Sequence, residues 1–414
     1  MLSRFLLTSK LRAMRPYFYP ILAALLCFSC TDAIDDFNNQ TNPSNSQNAS
    51  YNHISEALAL NIAESFWGGN QKARSKSATP TVCYVLKNTT LSRHINNLSD
   101  TLAYIFNYPE NEGFTIVASD NRVNPILAYS DQGQFSFDNE IVKDNFIARI
   151  EDYMSAETSQ NLIYPIEKHN TESCIVIYPY ISESIGQGAP YNKYVTIEHP
   201  NCPAGCVAVA TANVMIQSLN SKRYRNSHFE FAAIRQAFKE HNPPHPEPIS
   251  ISRIVGPTYP PANPLIKYSY EEAVDSVAKM LYWIGKDVDM DYHPNGSSAF
   301  SQDAYNLLKH LSFDILTPGL LSFNLTKVCD YINNDCIIYM RGRDTKKNAG
   351  HAWVADGCSF CIETDGTTFN EYVHCDWGWN GLSNGFYNGD VFEAGSYDFS
   401  GITYFAIKRH LIME

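Results

Sequence analysis

Residues 200–217 read PNCPAGCVAVATANVMIQ, and this stretch decides the fold of the second half of the chain. Cys206 opens a run of small and apolar residues that is typical of a tightly packed, buried helix. Gly205 frees the backbone just before that helix. Because Cys202 stands four residues earlier, the residues allow three explanations for Cys206: half of a metal site, half of a disulfide, or a nucleophile at the start of a helix.

A nucleophilic cysteine reacts as its thiolate, and a helix N-terminus or a nearby imidazolium lowers the pKa of a thiol. Cys206 lies at the predicted N-terminus of a helix, which is the first of these two features. The best histidine is His351 in KNAGHAWVADGC, because it follows a glycine at the start of an apolar strand. Asp376 in VHCDWGWNG lies on a predicted neighbouring strand and is predicted to orient the imidazole, while Trp377 is predicted to screen the pair from water.

The whole chain has 414 residues, which suggests two or three domains. Hydrophobic residues make up 44% and charged residues 18%, so there is enough apolar material to fill a core. The net charge of -12 and the lack of clustered Lys and Arg argue against nucleic acid as a partner, because phosphate binding needs such clusters.

The N-terminus is predicted to be a targeting segment. Basic residues precede the apolar stretch YPILAALLCF, which is too short to span a membrane, so residues 1–29 are expected to be a signal peptide. Ser29 and Cys30 resemble the end of a bacterial lipobox, which predicts lipidation of Cys30, although Cys27 stands where Leu is usual. The chain is expected to be exported as an outer-membrane or cell-surface lipoprotein, or else secreted, with membrane contact only through this anchor.

Composition then divides the chain. Residues 30–52 are rich in Asn, Ser and Asp and are predicted to form a disordered tether. Residues 53–165 show a helix beginning after Ser55 and several alternating strands, with their own core pattern and no catalytic set. Residues 166–414 place helices first and short strands after, the order of an α+β domain, with a Pro-rich stretch at 243–264 predicted to be an irregular excursion.

Several motifs resemble, in order, those of the streptopain family of bacterial papain-like cysteine peptidases. They are GQGAPYN, CPAGCVAVATANVM, GKDVDMDYHPNGSSAFSQDAYNLLKHLSFD, AGHAWVADG and HCDWGWNGLSNGFY, and GFTIVASDNRVNPILAYSDQGQF is similar to the inhibitory prodomain of that family. The likeness covers most of residues 53–410. It implies a papain-like peptidase at 166–414, preceded by an inhibitory prodomain at 53–165 that acts as an intramolecular inhibitor.

The resemblance also implies a role for each matching residue. Cys206 matches the nucleophile, His351 the general base and acid, and Gln187 the side chain that shares an oxyanion hole with the backbone N–H of Cys206. Further matches are the substrate-contacting positions Gly350 and one of Ser297 or Ser298, and the screening Trp377. Protein or peptide substrates are expected, with no metal or organic cofactor.

This chain departs from the family pattern at two positions near the site. Ile185 stands where a Trp commonly precedes the Gln, and Asp376 stands where the family usually has Asn. Either Asp or Asn can accept a hydrogen bond from an imidazole N–H. Asp376 therefore remains the predicted orienter of His351.

Two rival interpretations remain. Cys202-x3-Cys206 and Cys358-x2-Cys361 offer four thiolates for a tetrahedral zinc, and in an exported protein a disulfide between Cys358 and Cys361, or one using Cys202, is a further possibility. In the second rival interpretation the chain has the same fold but no catalytic activity, and it is an exported binding or protease-inhibitor protein. Selective labelling of Cys206 by a thiol-directed probe distinguishes the enzyme from that rival.

Overall fold

The computed structural model describes residues 52–68, 81–87, 100–136, 150, 153–154, 171–177, 185–241, 253–255, 266–344, 349–363, 368–393 and 401–410. The chain divides into two units, Met1–Gln47 and Asn48–Glu414, and every described residue belongs to the second. The predicted signal segment, Cys30 and the tether up to residue 51 lie outside the described residues. None of the described helices is long and apolar enough to cross a bilayer.

The helices and strands follow in chain order. The helices are α1 Glu56–Gly68, α2 Val195–Glu198, α3 Cys206–Ser218, α4 Phe231–His241, α5 Tyr270–Asp287, α6 Ser301–His310, α7 Leu325–Asn333 and α8 Gly389–Glu393. The strands are β1 Thr81–Lys87, β2 Thr101–Asn107, β3 Phe114–Ala118, β4 Ile126–Ser130, β5 Thr171–Ile177, β6 Lys222–Tyr224, β7 Ser227–Phe229, β8 Arg253–Val255, β9 Leu321–Ser322, β10 Cys336–Asp344, β11 Ala349–Glu363, β12 Thr368–Asp376, β13 Gly385–Asn388 and β14 Thr403–Lys408.

Side-chain caps explain where two of the helices begin. Before α1, the Ser55 hydroxyl accepts a hydrogen bond from the backbone N–H of Leu58 at 3.3 Å. Before α5, Ser269 and Glu272 form a reciprocal capping box. Such caps satisfy N–H groups that have no partner within the helix. The start of α1 agrees with the helix predicted after Ser55.

One large sheet runs through the described part of the chain. Its strands follow the order β1-β2-β3-β4-β13-β12-β11-β10-β14-β9, and β5 adds to β11. The pairs along this path are antiparallel, as predicted for the C-terminal strands. The predicted excursion at 243–264 is not wholly irregular, because β8 within it pairs in parallel with β5. Backbone groups make this pairing, so the many prolines in the sequence around β8 gave no sign that a strand lies there.

Helix α3 is the centre of one core. Every residue from Val207 to Ser218 is buried, and the helix packs among α4, α5, α6 and the strands β10 and β11. Its alanines let those neighbours approach closely, which explains the small residues that follow Cys206 in the sequence. We call this the helical core; its buried members all lie between Ile185 and Ile407.

A second core lies on the other side of the sheet. It joins strands β2, β3 and β4 to α7, to β11, which carries Trp353, and to Trp377, which directly follows β12. The two sets of strands meet where β4 pairs with β13, with Tyr129 opposite Phe386 and Ala128 opposite Tyr387. We call this the shared core, because residues of the N-terminal region contribute to it together with residues of the C-terminal sheet.

Candidate active site

The loop before α3 holds Cys206 in place through its backbone. Gly205 has φ +91°, and a Cβ there would lie 2.6 Å from the sulfur of Met290, so no larger residue fits without movement. Cys206 is the first residue of α3, where helix N–H groups have no partner within the helix. The backbone N–H of Ala352 lies near enough to its sulfur to lower the pKa of the thiol, although burial raises it more. The thiol therefore lies against the residue that directly follows His351.

Gln187 is tied to the same loop. Its backbone carbonyl accepts a hydrogen bond from the N–H of Ala204 at 2.8 Å. The Gln187 side chain is buried, and its Nε2 has no hydrogen-bond partner among the described residues. An unpaired buried donor costs free energy in the resting protein, so it is suited to an acceptor that arrives later. This is the arrangement expected of an oxyanion-hole donor.

The predicted substrate-binding positions differ in their surroundings. The Ser297 hydroxyl donates to the carbonyl of Pro203 at 2.7 Å, which ties the serine-rich loop to the loop before Cys206. Ser298 is exposed, and its backbone exchanges two hydrogen bonds with Asp291. Gly350 is exposed on β11 immediately before His351. Ser297 and Gly350 thus border the thiol and the imidazole, while the contacts of Ser298 lie away from them.

The imidazole of His351 is oriented by a backbone group. Its Nε2 lies 2.9 Å from the carbonyl oxygen of Trp377. A carbonyl can only accept, so Nε2 carries the proton and donates, and Nδ1 of the neutral ring is left with a lone pair. Nδ1 is buried and has no hydrogen-bond partner within the described part of the chain. The tautomer is therefore the one that a general base needs if Nδ1 is to take the proton of a thiol.

The prediction that Asp376 accepts the hydrogen bond from His351 is wrong. Asp376 lies opposite Val354 across the β11–β12 pair, one residue before the chain turns away at Trp377. Its carboxylate accepts instead from the Nδ2 of Asn213 at 3.2 Å and from the backbone N–H of Gly378 at 3.0 Å. The prediction placed Asp376 correctly on the neighbouring strand but assigned to its side chain a contact that the next residue's carbonyl makes.

Three tryptophans lie around His351. The ring centroids of Trp353, Trp377 and Trp379 are 6.0 Å, 6.2 Å and 6.1 Å from that of the imidazole. Trp377 is completely buried and packs against Tyr387 in the shared core. Trp379 is only partly buried, so it is the ring of the three that reaches the surface beside the histidine. On the solvent side, Trp379 therefore screens the imidazole from water, a role that the sequence had assigned to Trp377.

Burial favours the neutral forms of both candidate catalytic groups. It lowers the pKa of His351 to about 4, and the hydrogen bond to the Trp377 carbonyl offsets part of this effect. Burial also raises the pKa of the Cys206 thiol, opposed by hydrogen bonds from the backbone N–H groups of Ala352 and Val207. With the N-terminal region in place, burial therefore favours a thiol at Cys206 and a neutral imidazole at His351.

The other cysteines do not form the predicted disulfides. Cys202 and Cys358 are free thiols. Cys358 and Cys361 lie three residues apart on the extended strand β11, which separates their Cα atoms by roughly 10 Å, too far for a disulfide. Within the described ranges, no group of three or more His, Cys, Asp or Glu side chains is arranged to hold a metal ion.

The site also contains groups that the sequence did not single out. They are the carbonyl of Trp377, the N–H of Ala352 and the ring of Trp379. Two are backbone atoms, which carry no residue-specific signal, so only the strand pairing between β11 and β12 could have suggested them. The WGW motif contained the signal for Trp379, but alternation along the chain could not decide which tryptophan faces outward.

Comparison with known proteins identifies the two parts of the chain. Residues 185–387 match the family described as Peptidase C10, and residues 51–156 match the family described as Spi protease inhibitor. The chain contains a Peptidase C10 family domain. It is a cysteine peptidase with an inhibitor-like domain before it, as the motif resemblance predicted. A freestanding inhibitor would match the second family alone, whereas this chain matches both families.

Individual relatives agree with this family. Streptopain from Streptococcus pyogenes is 26% identical over 320 residues, which cover 71% of this chain and 75% of that protein. The thiol protease/hemagglutinin PrtT of Porphyromonas gingivalis is 24% identical over 332 residues, 72% of this chain but 35% of that longer protein.

A solved structure shares the fold. The structure of a prointerpain A fragment from Prevotella intermedia is 19% identical to this chain, with a TM-score of 0.50. The match covers 81% of this chain and 99% of the fragment. At this identity the likeness concerns the fold. The predicted α+β, papain-like fold with a small domain before it is confirmed.

Proposed function

We propose that the chain is an exported endopeptidase zymogen that hydrolyses protein or peptide substrates through Cys206 and His351. The observation that carries this proposal is the position of the Cys206 thiol, at the start of α3 and beside the backbone N–H of the residue after His351. In the Peptidase C10 family domain, this thiol is the one cysteine with a helix N-terminus, a histidine and a free amide donor around it, among the residues that the structure describes.

The mechanism would be acyl transfer. Nδ1 of His351 takes the thiol proton, and the sulfur of Cys206 attacks the peptide carbonyl to form a tetrahedral intermediate. The oxyanion receives hydrogen bonds from Gln187 Nε2 and from the backbone N–H of Cys206. His351 then gives the proton to the leaving amine, and water attacks the thioester to release the second product and restore the thiol.

The N-terminal domain would act as the intramolecular inhibitor. Its strand β4 pairs with β13, and the backbone N–H of Ser383 donates to the carbonyl of Gln134 at 3.1 Å. These contacts lie on the segment that follows Trp377, whose carbonyl orients His351. In the inhibited chain both catalytic groups favour their neutral forms, and removal of the inhibitor would let water and substrate approach and favour the ion pair.

Location is part of the proposal. Residues 1–29 would direct export, and a lipid on Cys30 would hold the protein at the outer membrane or cell surface through the tether 30–52. The support is the basic and apolar pattern of the first thirty residues. Cys30→Ser should move the protein from the membrane fraction to the soluble fraction; an unchanged distribution would exclude this anchor.

Casein hydrolysis tests the catalytic proposal. The activated chain should release acid-soluble peptides, and Cys206→Ala should reduce the rate to background because no other group supplies the nucleophile. Cys202→Ala is the matched control: this thiol is also buried beside the loop, and it donates only to the carbonyl of Pro200 at 3.6 Å. Full activity of Cys206→Ala, or equal loss in both variants, would refute the assignment of the nucleophile.

A further inference from the structure

One peptide group connects Asp376 to the imidazole. The peptide between Trp377 and Gly378 presents its carbonyl to Nε2 of His351 at 2.9 Å and its N–H to Oδ1 of Asp376 at 3.0 Å. The N–H and C=O of a trans peptide point in opposite directions, so the carboxylate and the imidazole lie at its two ends. Gly378 has φ +75°, and a Cβ there would lie 2.8 Å from Val209 on α3.

The carboxylate is fixed from both sides of the site. Its Oδ2 accepts from Asn213, which lies seven residues, about two turns, after Cys206 on α3. Asn384 donates to Asp376 and accepts, through its Oδ1, a hydrogen bond from the N–H of Trp377 at 3.0 Å. Asp376 therefore links the helix of the thiol to the peptide that orients the imidazole.

We propose that Asp376 is a positioning residue that acts on His351 through the Trp377–Gly378 peptide. Hydrogen bonds in a chain polarise one another, so a carboxylate on the N–H makes the carbonyl at the other end a stronger acceptor. A stronger acceptor on Nε2–H favours the imidazolium, and with it the thiolate of Cys206. The inference rests on the proposed function and adds a residue that touches neither the substrate nor the reacting atoms.

The charge of Asp376 depends on pH within the working range. Burial, and then the negative charge of Asp356 on β11, raise the pKa of Asp376 to about 6; hydrogen bonds from Gly378 and Asn384 and the nearby His374 oppose this. The charge of Asp376 also acts on the neighbouring Cys375 of β12, but burial is the main cause that raises the pKa of this thiol, which stays neutral. Asp376 is thus ionised above about pH 6 and loses its charge as the pH falls through that value.

The pH dependence separates this role from a structural one. Asp376→Asn keeps an oxygen for the Gly378 N–H but removes the charge. Above pH 7 the parent should be about three- to tenfold faster than this variant in kcat/KM, mainly through kcat. Near pH 5 the parent carboxyl is protonated, so the ratio of the two rates should approach one. A side chain that only holds the turn would give a ratio that does not change with pH.

The experiment is a pH series of kcat/KM between pH 5 and 8, with a fluorogenic peptide and the full-length chain after activation. Asp376→Ala should lose on the order of 10- to 100-fold at every pH, because the peptide loses its acceptor. Asp356→Asn is the comparison variant: Asp356 is an equally buried carboxylate that binds His374 at 2.7 Å and does not contact the peptide, but its charge raises the pKa of Asp376, so removing that charge should move the fall in rate to lower pH. Its rate ratio to the parent at pH 8 should be close to one.

The outcomes are distinguishable. A parent-to-variant ratio for Asp376→Asn that rises with pH, together with a rate of Asp356→Asn at pH 8 close to that of the parent, supports the inference. A flat ratio for Asp376→Asn, or a loss at pH 8 in Asp356→Asn equal to that in Asp376→Asn, overturns it while the peptidase assignment stands. Should Asp376→Ala not fold, the Asn variant alone decides, because it preserves the shape of the side chain. A parent without Cys206-dependent hydrolysis would overturn the proposed function and this inference with it.

Discussion

The two halves of the proposed active site pack against two different hydrophobic cores. Cys206 packs against the helical core, whose buried residues all come from the peptidase region between Ile185 and Ile407. Trp353 and Trp377, which flank His351, belong to the shared core, to which strands of the inhibitor-like domain also contribute. The thiol is therefore positioned by the peptidase itself, and the imidazole by a surface that the inhibitor-like domain helps to pack.

This difference suggests where inhibition acts. Cleavage that frees the inhibitor-like domain would leave the helix of the thiol with its full set of neighbours. The same cleavage would uncover β13 and remove packing partners from the segment that carries the Trp377 carbonyl. The histidine half is therefore expected to change more than the thiol half on activation, and the experiments below test that asymmetry.

The largest effect is expected for the imidazole. His351→Ala should lower kcat/KM of the activated enzyme by at least about a thousandfold, because the general base is lost and the thiol has no partner. His374→Ala provides the matched control, since this histidine is also buried and binds Asp356 rather than the site. The control should lower the Tm and keep most of the activity; similar losses in both variants would contradict the assignment of the base.

The oxyanion donor should give the next largest effect. Gln187→Ala should lower kcat by about ten- to a thousandfold with little change in KM, because its free amide acts on charge that develops during the reaction. Gln217→Ala is a suitable comparison, since its side chain is buried and donates to Asp356 at 3.4 Å. A rise in KM with kcat intact would make Gln187 a substrate-binding residue instead.

The smallest effect tests the contact between β4 and β13. The Tyr129 hydroxyl hydrogen-bonds Ser359 at 2.8 Å, and its ring stacks on Phe386 across the β4–β13 pair. Tyr129→Ala should weaken the hold of the inhibitor-like domain and raise the activity of the intact chain by a few-fold to about tenfold. Tyr305→Ala, in the helical core, should lower stability without releasing activity. Equal release by both would show that inhibition is not confined to the histidine half.

Much of this architecture could be predicted from the sequence. The small residues after Cys206 predicted a buried helix, and the ordered motifs identified Gln187 and His351 together with the papain-like fold. The acceptor for His351 could not be predicted, because it is a backbone carbonyl and every residue has one. The β4–β13 pairing could not be predicted either, because it is made by backbone groups where the edges of two sets of strands meet. Asp376 was predicted to orient His351 because a carboxylate can be recognised in a sequence, whereas the turn at Gly378 cannot.

The most direct test of the account follows the intact mass of the chain from Asn39 onward, alone and as Cys206→Ala, while peptide hydrolysis is recorded from the same samples. The account predicts that the parent is cut within residues 155–183, loses the residues before the cut, and gains activity in step with the shortening. Cys206→Ala should remain at full length alone and be cut when a trace of activated parent is added. If Cys206→Ala shortens by itself at the rate of the parent, or if the full-length parent is already fully active, the account of a self-activating zymogen centred on Cys206 is contradicted.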